Sequence, residues 1–351
     1  MTALKAELVA QIRANGPMSL AEYMTACLLH PTMGYYTTRD AFGSAGDFIT
    51  APEISQMFGE LVGLSLAQTW LDQGAPDRIT LAELGPGRGT LLADALRATK
   101  TVPGFLQAAD VVLLDASPSL RAKQLQAVPT ARHIETIADL PDRPLYLVAN
   151  EFFDALPIRQ FQRDDAGWRE KRVGLKGENL TFGLTDPTPQ DALTHRLDDT
   201  QDGDLVEICP SAQPIIAEIG QRIEAHKGAA LIVDYGDWHS LGDTLQAVAD
   251  HRPTDPLASP GAADLTAHVD FETLTQAARC AHTRLTPQGV WLERLGITAR
   301  ATALAQKLSG PSLEAHIAAH RRLTHPSEMG TLFKVLGLFP TGQQPPAGLE
   351  S

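Results

Sequence analysis

Ile79-Thr80-Leu81-Ala82-Glu83-Leu84-Gly85-Pro86-Gly87-Arg88-Gly89-Thr90 is an apolar run that stops at three glycines spaced two apart. With Leu91-Leu92-Ala93-Asp94-Ala95-Leu96 behind it, the stretch predicts a strand, a tight turn and the start of a helix. Glycines tolerate positive φ and let the backbone pass close beneath a ligand. The helix N-terminus that follows offers unpaired N–H groups and partial positive charge. The corner is of the nucleotide-binding kind.

Spacing and charge narrow the ligand. A dinucleotide fingerprint runs G-x-G-x-x-G, and a P-loop ends in Lys-Ser/Thr. This turn has neither, and it carries Glu83 two residues before Gly85. An anionic Glu83 suits a ligand with a cationic end. S-adenosylmethionine (SAM) bears an ammonium and a sulfonium where NAD bears phosphates. Glu83, Gly85, Gly87, Gly89 and Thr90 are therefore expected around SAM; a cap or pairing group at the turn is the plainer use of Glu83.

Outward from this corner the chain alternates buried-type strands with helices, which predicts an α/β domain with a parallel sheet. Asp110–Leu114 ends in Asp115, where a carboxylate can accept from both ribose hydroxyls or cap the helix that follows. Leu145–Ala149 delivers Asn150, Glu151 and Asp154 to the carboxyl edge, where open α/β sheets bind ligands. Together with Phe152 and Phe153 these suit a cationic acceptor nitrogen; capping and packing are their plainer use. Ala229–Val233 ends in Asp234, a site candidate or a turn former. Glu207 on Leu205–Ile208 is a further carboxylate of interest.

Before the corner, Ser19 and Glu22 form a capping box for a helix over 20–29. Tyr35, Tyr36 and the glycine-rich stretch with Asp47, Thr50, Pro52 and Glu53 are too apolar for a linker and predict a loop covering the site. The expected division is a helical N-terminal lobe with that loop over 1–75, a main domain over 76–339 with an insertion at 158–204, and a loose tail over 340–351.

Bulk properties restrict partners. The chain has 351 residues, 43% hydrophobic, enough for a sizeable core. A net charge of −13 would be repelled by nucleic acid and by anionic membranes. No apolar run reaches the ~20 residues of a membrane span. Cys27, Cys209 and Cys280 are far apart and predict reduced thiols, and no histidine or cysteine spacing predicts a metal. The N-terminus lacks the apolar core of a signal peptide, so a cytoplasmic protein is expected. Nothing in the sequence fixes an oligomeric state.

Lined up, several segments resemble the MidA-like family of class I SAM-dependent methyltransferases over about residues 17–338. They are His30-Pro31-x-x-Gly34-Tyr35-Tyr36, Gly46-Asp47-Phe48-Ile49-Thr50-Ala51-Pro52-Glu53-Ile54-Ser55, the glycine turn, Asn150-Glu151-Phe152-Phe153-Asp154-Ala155-Leu156-Pro157, Asp234-Tyr235-Gly236 and Asp264-Leu265-Thr266-Ala267-His268-Val269-Asp270-Phe271. The resemblance implies a Rossmann-like seven-stranded sheet with a reversed last strand. For mitochondrial relatives it implies methylation of an arginine in a respiratory complex I core subunit, and hence a protein partner presenting an arginine. One departure stands out: Asp115 occupies a place where the family usually shows Glu before Ser-Pro. Two other function classes are an assembly factor or chaperone that binds SAM without turnover, and an NAD(P)-dependent oxidoreductase.

Overall fold

The computed structural model describes residues 2–38, 50–165, 167–249 and 251–351. They form two compact units. The larger takes the described residues of Phe42–Phe153, Gln213–Gly236 and Phe271–Ser351; the smaller takes those of Met1–Ala41, Asp154–Ala212 and Asp237–Asp270.

In the larger unit, β1 (Ile79–Leu84), β2 (Ala109–Leu114), β3 (Arg132–Ile134), β4 (Leu145–Asn150), β5 (Gly228–Asp237), β6 (Ala281–His282) and β7 (Phe333–Phe339) line up in the order β3-β2-β1-β4-β5-β7-β6. β1 runs parallel to β2 and β4, and β4 parallel to β5. β7 lies antiparallel to β5, Ala230 facing Leu338 and Tyr235 facing Phe333. This is the reversed strand that the resemblance implied. Thr286–Pro287 adds a short pairing against β7, so the sheet exceeds the seven strands expected. β1 and β4 are buried at every position, as strands covered on both faces must be. The order reverses at β1, which places the ends of β1 and β4 at the switch point.

Helix Gln56–Asp72 belongs to this unit, not to a lobe over 1–75. It is buried over most of its surface, with Met57, Phe58, Leu61, Val62, Leu66 and Trp70 in the main core. Gly59 and Gly63 let it close on helix Thr90–Thr99: a Cβ at Gly63 would stand 2.7 Å from Ala95 Cα, and one at Gly59 2.7 Å from the Leu91 carbonyl oxygen. That contact fixes the helix which opens at the glycine turn.

The segment 340–351, expected to be loose, is packed. Leu349 is 6% exposed in the main core, and the Ala347 carbonyl accepts from Ser65 Oγ at 2.9 Å and Trp291 Nε1 at 3.3 Å.

The smaller unit joins the N-terminal helices Ala3–Asn15 and Leu20–Leu29 to the segment read as an insertion. Arg159–Asp164 pairs with Gly167–Lys176 and with Leu205–Ile208, and Met18–Ser19 pairs with Val173 and Arg172. Phe161, Trp168, Leu193 and Val206 form its small core. The Ser19–Glu22 capping box is present on Leu20–Leu29. Among the described residues no helix is long and apolar enough to cross a membrane.

Candidate active site

At the switch point a cleft is lined by Thr50, Pro52, Glu53, Glu83, Gly85, Pro86, Gly87, Arg88, Thr90, Leu91, Asn150 and Glu151. β1 supplies Glu83 and β4 supplies Asn150. Gly85, Gly87 and Gly89 adopt φ of +62°, +53° and +82°, a region where L-residues are strained, so the turn requires glycine for its shape alone.

Glu83 is 3% exposed. Burial pushes its carboxyl up to about 8; a bond from the Leu92 backbone N–H pulls down and the nearby Asp115 charge pushes up. Both sequence readings of Glu83 are present. It caps the first turn of Thr90–Thr99 through Leu92, while its Oε2 is buried with no partner among the described residues. Asn150 Oδ1 is a second buried acceptor with no partner among the described residues, its Nδ2 donating to Glu151 Oε1 at 3.2 Å. Buried acceptors of this kind are costly unless something supplies donors. The cleft therefore fits a ligand with an ammonium or other cationic end.

Glu151 follows β4 with φ +51°, a non-glycine in the left-handed region that costs on the order of 1–2 kcal/mol. Its Oε1 accepts from the Ala51 N–H at 3.2 Å, and Thr90 Oγ1 donates to Glu53 Oε1 at 2.6 Å. These two bonds tie the turn Ala51–Ile54 to both walls of the cleft. Besides the raised Glu83, the lining holds two further acids, Glu53 and Glu151, against one guanidinium, Arg88. That balance favours a cationic ligand over a pyrophosphate.

Asp115 stands just outside the lining residues. Its Oδ1 accepts from the Ser117 N–H at 2.7 Å and its Oδ2 from Gln124 Nε2 at 2.6 Å. Burial raises its pKa, opposed by the Ser117 and Gln124 bonds and the Arg121 charge. Gln124 drew no attention in the sequence: a polar residue on a helix has no local mark that it points inward.

The remaining sequence candidates divide. Asp234, wholly buried, accepts from the Phe153 N–H at 3.0 Å and the Tyr235 N–H at 2.9 Å, behind the turn that carries Glu151. Asp154 lies in the smaller unit, 5% exposed, where its charge and that of Asp264 act on Tyr36. Tyr36 donates to Asp264 Oδ1 at 2.8 Å, and burial first, then these charges, hold its pKa well above the ordinary value. Tyr35 packs edge-on against Tyr36, centroids 5.3 Å apart. Glu207 is also in the smaller unit, where its Oε1 accepts from Gln160 Nε2 at 2.6 Å and the Thr244 N–H at 3.0 Å, and its Oε2 from Thr244 Oγ1. It joins a strand to a loop. Asp47 lies outside the described residues.

A parallel sheet with a reversed strand, a glycine turn at its switch point and an acid-lined cleft define a class I fold built to bind SAM. Residues 61–290 match the sequence model of a family of S-adenosyl-L-methionine-dependent methyltransferases. The chain is 37% identical to the protein arginine methyltransferase NDUFAF7, mitochondrial, of Bos taurus and to that of Homo sapiens, each alignment covering 97% of this chain and 84% of the relative. It also matches a Burkholderia thailandensis protein crystallised with S-adenosylhomocysteine, with a TM-score of 0.84 at 27% identity, covering 99% of this chain and 94% of that one. The chain belongs to this methyltransferase family and is a SAM-dependent methyltransferase. The oxidoreductase alternative falls with that result. The cytoplasmic expectation is corrected as well, since these curated relatives are mitochondrial by name.

Proposed function

We propose that the chain methylates an arginine nitrogen of a protein substrate, the target being a respiratory complex I core subunit or its bacterial equivalent. The observation that carries this reading is its 37% identity, over 97% of its length, to proteins named as arginine methyltransferases. The acid-lined cleft agrees with it in charge.

SAM supplies a methyl group on a positively charged sulfur. Glu83 and Asn150 would hold its ammonium through the two acceptors that lack partners. Gly85, Gly87, Gly89 and Thr90 would form the floor beneath it, and Asp115 would take the ribose hydroxyls. Arg88, for which no hydrogen bond or ion pair is found among the described residues, is the cation available for its carboxylate.

The acceptor side follows from guanidinium chemistry. A guanidinium is delocalised, fully protonated and planar, so its nitrogen must be oriented and must lose a proton as it is alkylated. Glu151 serves this purpose best, being held at the cleft by its backbone strain and its bond to Ala51. Asp234 acts behind it by anchoring Phe153. Thr50, Pro52 and Glu53, which line the cleft, are assigned to the acceptor and its cover; Glu207 is left a structural role.

Incubation of the chain with isotopically labelled SAM and a cell lysate, followed by mass spectrometry, tests the proposal. Label on arginine of a complex I subunit is expected. Glu151→Gln should bind SAM within about threefold of wild type while turnover falls at least about a hundredfold. Donor binding with no labelled protein would make the chain a SAM-binding assembly factor instead, and label on another residue type would remove the arginine assignment.

A further inference from the structure

Gln124, on helix Pro118–Ala127, is wholly buried between two parts of the donor site. Its Nε2 is 2.8 Å from the Gly87 carbonyl oxygen and 2.6 Å from Asp115 Oδ2. A primary amide has two N–H bonds, and here each has an acceptor. Its Oε1 lies 2.7 Å from His133 Nε2 on β3. Since that oxygen can only accept, His133 must carry hydrogen on Nε2. Burial, with the Arg121 charge, lowers the His133 pKa, which favours the neutral ring.

His133 thereby fixes which way the amide faces. Reversed, the amide would set its N–H groups against an N–H and its oxygen against two oxygens. The helix is also pressed onto the turn: a Cβ on Gly89 would meet Ala127 Cβ at 3.3 Å and Gln124 Cα at 3.4 Å.

We infer that Gln124 is a positioning residue for the methyl donor, setting the glycine turn and the Asp115 carboxylate in one frame so that the donor's amino-acid end and its sugar are held together. The inference rests on the reading that Asp115 takes the ribose hydroxyls. Gln124 itself touches neither end of the donor. It works through Gly87, whose left-handed backbone sets the cleft floor, and through Asp115, whose remaining lone pairs are aimed by the bond to Nε2.

The test compares two ligands on the full chain by calorimetry: S-adenosylhomocysteine, and an analogue of it lacking both ribose hydroxyls. Wild type should prefer the first. Gln124→Met, of similar length but without donors, should weaken S-adenosylhomocysteine by about tenfold, the worth of a hydrogen bond to a charged group, and the analogue by much less, so that the preference collapses. The KM for SAM should rise with little change in kcat. Equal weakening of both ligands would reduce Gln124 to a packing residue and overturn the inference, as would no weakening of either. A wild type that binds both ligands equally would remove Asp115 from the ribose and the inference with it, leaving the donor cleft standing; failure of wild type to bind either would remove the cleft. Should Gln124→Met not fold, Gln124→Leu, which likewise removes both donors from Gly87 and Asp115, must collapse the same preference.

Discussion

Glu83 and Glu207 are equally buried, each 3% exposed, yet they belong to opposite kinds of site. Glu207, in the smaller unit, accepts from Gln160 and twice from Thr244. Glu83, in the larger, keeps one oxygen with no partner among the described residues. Burial raises the pKa of both, and for Glu83 the donors are too few to bring it back from about 8. Burial alone therefore does not mark a binding carboxylate. An unmet acceptor that lines a cleft beside a backbone turn only glycine can form does, because a ligand in that cleft can supply the missing donor.

The largest effect that bears on this contrast is expected at the turn. Gly87→Val puts a β-branched residue at φ +53° and a side chain into the cleft floor, so SAM affinity should fall on the order of a hundredfold or more, read by calorimetry. Normal binding in that variant would mean the donor lies elsewhere.

The two glutamates should then come apart on substitution. Glu207→Ala leaves buried donors on Gln160 and Thr244 and should cost about 2–4 kcal/mol in denaturant unfolding, with SAM affinity retained. Glu83→Gln should do the reverse. In the folded chain Glu83 titrates near 8 against an ordinary 4.5, so the stability of its protonated form is complete below 4.5 and lost as pH rises to about 8. A glutamine has no such loss, and the variant should unfold at a higher temperature than wild type at pH 8, the gap closing toward pH 4.5. Donor affinity should fall in the variant. In wild type it should climb by up to about tenfold per pH unit toward pH 8, because a cationic ligand favours the ionised carboxylate; the variant should lack that climb. Matching pH profiles would dissolve the distinction between the two carboxylates.

The smallest effect sharpens the cleft's own chemistry. Arg88→Met should weaken SAM by about tenfold but leave decarboxylated SAM nearly unchanged, since only the former has a carboxylate for the guanidinium. Equal losses would take Arg88 off the donor.

Much of this site could be read in advance because its signals are local. Three glycines two apart define their turn without help from distant residues, and an apolar run such as Leu145–Ala149 suits a strand covered on both faces. An acid at the end of β2 was visible in the same way. The reversed direction of β7 came only from family resemblance, because a strand's sequence carries no sign of its direction relative to its neighbours.

What escaped the sequence depended on residues far apart in it. Met18–Ser19 pairs with residues more than 150 positions later, which unites the N-terminal helices with a segment that reads by itself as an insertion. Leu349 sits in the main core although its surroundings are rich in proline and glycine, since an apolar side chain is buried wherever the chain can bring it to a surface that lacks one. The sequence offers Glu207 only as a further carboxylate, and its donors from Gln160 and Thr244 come from residues 47 and 37 positions away.

The sequence by itself determined the methyltransferase sheet, the glycine turn and the negative charge beside it, all written in neighbouring residues with φ and burial preferences of their own. Tertiary structure alone decided which buried carboxylate is saturated and which is left open, and that a glutamine from one helix ties the turn to an acid on another strand. Hydrogen-bond satisfaction is a property of what surrounds an atom in space, and no local pattern encodes it.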